Sequence, residues 1–279
     1  MDQTLLIDVS AVCEISGGVL SIADSLAAMG RPLRLAVPSP APDPYSLRTA
    51  AHLTHRRAAL GLAACDAADE LTRMAEIFVG TAHTMAGIAR WTSVGMLGLV
   101  APSANHPVDY SRRTVRAATP NWAQDNTWTP QNDDEVLSCA VLLNIGDPDL
   151  STPWLPDAAA LQTLGDTLAT LSERLQQAWP GGSRPAAMLN RFGEWIRVDY
   201  RNALQHSVAD VNSWATEYMS ARTGVATAAA DYTAARQAAL DGEERSVASE
   251  AARQALDRYA GWSLGDWDLA DFPRLVDGS

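Results

Sequence analysis

The sequence predicts an all-α fold built from two long antiparallel helical hairpins. The longest stretches without proline are filled with Ala, Leu, Gln, Glu and Arg, which cost the least in a helix interior. Apolar residues recur in these stretches at alternating spacings of three and four, and turn signals separate one stretch from the next. We expect the hairpins to form a four-helix-bundle-like core, with an irregular connector and a short C-terminal helix added.

The first hairpin is predicted within residues 1–90. Its first helix runs from about Val9 to Met29, and Gly30 supplies a stop signal before a proline-rich connection over residues 30–44. Asp43 can cap a second helix that begins at Pro44 and continues to about Ala89. The two apolar stripes consist of Val12, Ile15, Val19, Ile22, Leu26 and Met29, and of Leu60, Ala64, Ala67, Leu71, Met74, Phe78, Met85 and Ile88.

The second hairpin is predicted within residues 157–241. Asp157 caps a helix that ends at Trp179, and Ser183 is the predicted cap of a return helix that continues to Leu240. Burying a leucine contributes ~1.5 to 3 kcal/mol before entropy is subtracted, so the leucine stripe needs a partner helix. The stripes are Leu161, Leu164, Leu168, Leu171, Leu175 and Ala178, and Leu204, Val211, Trp214, Tyr218, Ala221, Val225, Ala228, Tyr232 and Ala235.

Two further regions complete the predicted organisation. Residues 91–156 form an irregular connector rich in Trp, Pro, Asn and Asp, with one short helix from Asp133 to Leu143. Residues 242–279 contain a C-terminal helix, from about Glu243 to Tyr259, and a tail rich in tryptophan. The tail contains Trp262, Trp267 and Phe272, and we expect it to be docked or to bind a partner and not to be a free linker.

The charge and the apolar windows exclude several classes of function. A net charge of -12 disfavours binding to nucleic acid and to anionic lipid. The first ten residues contain two aspartates and predict no cleavable signal peptide. The most apolar window, residues 77–100, is interrupted by His83 and Arg90, so we expect no transmembrane helix.

The three cysteines do not form a dense disulfide framework. Cys13 and Cys65 lie at similar distances from the proline-rich turn, so folding the first helix onto the second would bring them to similar heights. A disulfide between them and a pair of buried free thiols are both compatible with this pattern.

The second hairpin turns at Trp179-x-Gly181, with Phe192 and Trp195 early in the return helix. Residues 157–240 therefore resemble the W-x-G hairpin superfamily of type VII (ESX) secretion substrates. Residues 1–89, an apolar helix followed by a Pro/Ser loop and an Ala-rich helix, resemble the Esp-type hairpins of the same systems. The resemblance implies that Trp179 covers the end of the helix pair and that Gly181 permits the reversal, although any helical hairpin can turn on Trp-Pro-Gly-Gly.

The family's export signal is a Tyr followed four residues later by Asp or Glu, and this chain departs from it. Tyr232 is followed by Arg236, whereas Trp262 has Asp266 at the right spacing but is not a tyrosine. Tyr232, Trp262 and Asp266 remain candidates for an export or partner surface. Family members pair as heterodimeric four-helix bundles, and a chain with two hairpins can satisfy this pairing within itself.

The sequence contains no recognisable catalytic motif. His52 and His55 share one side of the second helix, but no third ligand falls at a neighbouring helical position and Arg56 and Arg57 follow directly. A G-x-S-x-G elbow and a phosphate-binding glycine loop are both missing. We expect a protein that is not an enzyme and that uses no cofactor or metal.

The leading hypothesis is an ESX secretion-associated protein, either a secreted effector-like partner or an adaptor. It would be exported through the type VII system, or held in the cytoplasm before export, and would bind a helical ESX substrate or a component of the machinery. One alternative is a membrane-active protein that inserts residues 77–100. The other is a cytosolic chaperone or immunity protein for an ESX effector.

Overall fold

The computed structural model describes residues 7–93, 129–147, 156–235, 242–262 and 269–274, and all regular structure in these ranges is helical. The all-α prediction is confirmed. The helices are α1 (Val9–Leu33), α2 (Pro44–Ser93), α3 (Asp133–Asn144), α4 (Ala158–Ala178), α5 (Ser183–Trp195), α6 (Arg201–Ala235) and α7 (Gly242–Gly261). One π-helical turn, Ile196–Tyr200, joins α5 to α6.

The helix starts follow local capping chemistry. The Oδ1 atom of Asp43 accepts hydrogen bonds from the backbone N–H groups of Tyr45 and Ser46, which confirms the predicted cap of α2. Asp157 caps α4 in the same way. The prediction for Ser183 was wrong: Gly182 is the N-cap of α5, and Ser183 is already helical.

Glycine pairs bring the helices of each hairpin into close contact. Gly30 is not a helix stop as predicted; it is buried within α1, where a Cβ atom would lie 2.7 Å from the carbonyl oxygen of Gly61 in α2. In the second hairpin a Cβ atom on Gly193 would lie 2.7 Å from the carbonyl oxygen of Gly165. Both hairpins therefore contain one point at which only glycine lets the two backbones approach.

The first core is shared by α1, α2, α4, α5, the π-helical turn and the start of α6. It contains the predicted apolar stripes of α1 and α4, and the α2 stripe from Leu60 to Phe78. Met85 was predicted to belong to the α2 stripe, but it is 39% exposed, so this prediction was wrong. Helix α1 lies antiparallel to α4: Asp8 N–H donates to Ala178 O at 3.0 Å near one end, and a Cβ atom on Gly18 would contact Leu171 further along.

The second core is formed by the first turns of α2 together with α3, α6 and α7. Its members include Leu53 of α2 and the α6 stripe from Val211 to Ala228. The α6 stripe thus packs on α3 and α7, and not on α4 as a simple hairpin requires. The short helix predicted inside the connector is consequently part of a core: Val136 and Leu143 of α3 are fully buried.

A polar layer separates the two cores where α2 crosses α6. Leu60 and Leu204 belong to the first core, and Leu53 and Val211 to the second. Between these levels Arg56 of α2 forms an ion pair with Asp210 of α6 at 3.2 Å. Arg57 is only 2% exposed, and burial lowers the pKa of its guanidinium.

The structure does not form the disulfide that the sequence allowed. Cys13 and Cys65 are free thiols, and the Sγ atom of Cys65 lies beside Gly30. Gly30 is 17 residues beyond Cys13 on α1, a distance of roughly 25 Å at ~1.5 Å per residue. The prediction that the two cysteines lie at similar heights was wrong because the first turns of α2 extend beyond the end of α1.

Among the described residues, α1 alone is long and apolar enough to cross a membrane by length and composition. Its apolar side chains lie in the first core, where Val12, Ile15 and Val19 are fully buried. Core helices pass such a test as readily as membrane spans do. The segment of residues 77–100, in which insertion was considered, is described only to residue 93.

Replacement of Gly61 by alanine should destabilise the protein. The new Cβ atom would lie 2.5 Å from the Gly30 carbonyl oxygen, so the two helices must separate, at a cost of ~1 to 3 kcal/mol. Gly17→Ala is the matched control: nothing lies within 4 Å of its Cβ position, and it should stabilise the helix by ~0.5 to 1 kcal/mol. Urea unfolding followed by circular dichroism measures both, and equal effects would contradict the close-contact assignment.

Candidate functional site

The Trp179 turn is the feature on which the family resemblance rests. Trp179 is the C-cap of α4, its N–H donates to Leu175 O at 2.8 Å, and its carbonyl oxygen accepts from Gly182 N–H at 2.8 Å. The side chain is 9% exposed, and a Cβ atom on Gly182 would lie 2.7 Å from its ring. Gly181 is exposed in the turn, so the glycine that accommodates the indole is Gly182.

The N-terminus of α1 meets this turn. The hydrogen bond from Asp8 N–H satisfies the Ala178 carbonyl, which lies in the last turn of α4 and has no helical donor of its own. An ion pair between Arg174 and Glu14 at 3.1 Å lies one turn further along the two helices. The end of the W-x-G-like hairpin is thus covered by the other hairpin of the same chain.

The candidate export residues are only partly within the described structure. Trp262 follows α7 directly, is half-buried, and donates from Nε1 to the Ser213 hydroxyl at 3.0 Å. Asp266 lies outside the described residues. Tyr232 lies in the last turns of α6, and its side chain is likewise outside the described part.

Residues 269–274, which we call the tail segment, lie on the first core. The indole Nε1–H of Trp195 donates to the carbonyl oxygen of Ala270 at 2.6 Å. The Phe272 ring lies 6.1 Å from the ring of Phe192 and 5.9 Å from that of Trp195, in an edge-to-face contact with the latter. The sequence predicted a docked or partner-binding tail, but no periodic pattern indicated where it would bind.

A hydrogen-bonded cluster at the start of α2 was not found from the sequence. Tyr259 of α7 accepts from Trp214 Nε1–H at 2.8 Å and bonds the Ser46 hydroxyl at 2.9 Å, and burial raises its pKa. Asp43 is fully buried beside these groups, and its second carboxylate oxygen, Oδ2, has no hydrogen-bond partner among the described residues. Burial raises the pKa of this carboxyl despite the bonds from Ser46 and Tyr45.

Titratable side chains line a pocket beside the start of α2. An open pocket of about 400 Å³ lies between the start of α2 and α3, and its wall contains Asp134, Glu135 and Cys139. Burial raises the pKa of the Cys139 thiol to about 12, which keeps it protonated and unreactive. No group of three His, Cys, Asp or Glu side chains in the described ranges could hold a metal ion.

Comparison with known proteins does not assign the chain to a family. A scan against family models, a search of curated proteins and a search of solved structures each found no match.

Replacing Asp43 by asparagine tests the cost of its buried charge. The folded-state pKa is raised, so the native state binds a proton more tightly than the unfolded chain, and stability should fall as the pH rises above the ordinary aspartate value of 3.8. Asparagine keeps the capping oxygen without the charge, so Asp43→Asn should remove this part of the pH dependence. Thermal unfolding from pH 4 to 8 measures it.

Asp43→Ala is the control, because it removes the cap and the charge together. Loss of the cap should lower the free energy of unfolding by ~0.5 to 2 kcal/mol, and removal of the buried charge should offset part of this loss. If the asparagine variant lost as much stability at neutral pH as the alanine variant, the assigned roles of the Asp43 cap and of its buried charge would be contradicted.

Proposed function

We propose that the protein is a type VII (ESX) secretion-associated protein, a secreted effector-like partner or adaptor that acts by helix-mediated binding to other proteins. Its partner is a helical ESX substrate or a component of the secretion machinery. The observation that carries the proposal is the Trp179 turn: the W-x-G pattern falls at a reversal between two helices, where Trp179 is the C-cap of α4 and is 9% exposed beside Gly182.

The fused arrangement of the hairpins supports the proposal. In this family one hairpin pairs with another from a different chain. Here α1 lies along α4, and residues of α1, α2, α4 and α5 share one core. The first hairpin therefore takes the place that a partner chain would occupy, which leaves the outer surface of the molecule for further partners.

The chemistry of the described residues also favours binding over turnover. The buried polar groups at the start of α2 serve as a helix cap and as hydrogen-bond partners between helices. The thiol in the pocket wall is held in its neutral form. A protein that acts through its surfaces needs neither an activated nucleophile nor a bound metal.

Export should depend on an active ESX system. We expect a tagged copy to reach the culture medium of a host with a working ESX system and to stay in the cells when the ATPase of that system is inactive. The measurement is immunoblotting of medium and cells, with a cytoplasmic protein as the lysis control. Equal release from both hosts, or retention in both, would contradict secretion, and retention in both would favour the chaperone alternative.

The Trp262/Asp266 pair should contribute to this export if it replaces the tyrosine-based signal. Trp262→Ala and Asp266→Ala should each lower the exported fraction several-fold while leaving the cellular level unchanged. Asp271→Ala is the matched control, since Asp271 is an exposed aspartate of the same tail. Export that is unaffected by both substitutions at the pair would remove these residues from the proposed signal.

A further inference from the structure

We propose that the aromatic groove formed by Phe192 and Trp195 is a peptide-binding site. Its ligand is a short extended segment with an apolar residue, two variable residues, a phenylalanine, a proline and an arginine. In this structure the site is occupied by the chain's own tail segment, and a partner segment of the same chemistry binds by replacing it. The inference goes beyond the proposed function and does not depend on it.

The groove recognises its occupant through both main chain and side chains. The Trp195 indole donates to a backbone carbonyl, that of Ala270, a contact that any residue at this position provides. Phe272 packs against Phe192 and Trp195, and Leu269 packs against the same core two residues before the exposed Asp271. Aromatic pairs of this geometry stabilise a contact beyond the area that they bury.

Charge complementarity selects the basic end of the segment. The guanidinium of Arg274 lies 4.9 Å from the centre of the Phe272 ring, and its charge also reaches Asp66 on α2. Burial raises the pKa of Asp66 and the neighbouring Asp69 adds to this, whereas Arg274 and Arg34 oppose it. A cation at this end of a ligand therefore offsets a partly buried negative charge.

The groove wall is held in place by the helices and not by the tail. Trp195 stacks on Tyr200 with ring centres 5.1 Å apart, across the π-helical turn. The Tyr200 hydroxyl donates to Leu60 O of α2 at 3.2 Å, which joins the turn to α2. Single π-helical turns inside α-helices occur frequently at functional sites, because the extra residue redirects a side chain.

The tail segment, in contrast, is bound like a ligand. It has no regular secondary structure, and each of its side chains is at least partly exposed to solvent. The two groove aromatics are almost fully buried, with Phe192 at 0% and Trp195 at 2% exposure, and Phe272 supplies part of that cover. The groove aromatics are thus covered by a segment that itself lies at the surface.

A tethered occupant competes strongly with a free one. A short linker gives a segment of the same chain an effective concentration on the order of mM, so a free peptide of equal intrinsic affinity at micromolar concentration is excluded. Weakening the tail segment should therefore increase the affinity for a free peptide, although the substitution removes contacts from the protein.

The experiment measures binding of a fluorescein-labelled peptide, Leu-Ala-Asp-Phe-Pro-Arg, to the purified full-length protein by fluorescence anisotropy. Phe272→Ala should bind the peptide at least about tenfold more tightly than the wild type, because the tethered competitor is lost. Asp271→Ala, which alters an exposed tail residue, should behave like the wild type. A peptide with alanine in place of phenylalanine should not bind.

Adding Trp195→Phe to the Phe272→Ala variant should reduce the gained affinity several-fold, since it removes the donor to the peptide main chain. Circular dichroism checks that the helices are retained. If Phe272→Ala loses helical signal, Arg274→Glu, which reverses the charge that acts on Asp66, replaces it as the variant that releases the tail segment. Equal affinity of the wild type and the folded releasing variant, or no binding by that variant, would overturn the proposal. Export in cells is a separate readout, so failure here leaves the secretion proposal standing.

Discussion

Coverage of α2 is the constraint on which the rest of the structure depends. This helix has 50 residues and α1 has 25, so at ~1.5 Å per residue α1 can cover only about half of it. The Gly30–Gly61 contact holds α1 against the middle of α2, and the first turns of α2 extend beyond it. Apolar residues such as Leu53 must then be buried by other elements, which α3, α6 and α7 supply.

The same mismatch in length occurs in the second hairpin and produces the two-core organisation. Helices α5 and α6, joined by the π-helical turn, are together much longer than α4, and α6 continues into the second core. The polar layer at Arg56 and Asp210 lies where both long helices leave the first core. A partly buried ion pair favours one register between α2 and α6, because a shift would separate the two charges.

Two contacts between distant parts of the chain cover the surface of the first core. The first hairpin covers the end of the second, as the bond between Asp8 and Ala178 shows, and the surface across α5 and the π-helical turn is covered by the tail segment. Both contacts join residues distant in sequence. The first contact supports the proposed secretion role, which rests on the Trp179 turn, and the second carries the proposed peptide site.

The sequence alone determined the helices, because the three-and-four spacing of apolar residues and the capping residues act over a few positions. The α1 stripe from Val12 to Leu26, the Asp43 cap and α3 were all predictable in this way. Only the tertiary structure decided which helices meet. Gly30 has the pattern of a helix stop, yet it is a contact point between α1 and α2. Cys13 and Cys65 are separated because α2 is offset along α1. Trp195 forms a hydrogen bond with Ala270, 75 residues further along the chain. Such pairings depend on helix lengths and offsets summed over the whole chain, which no local pattern contains.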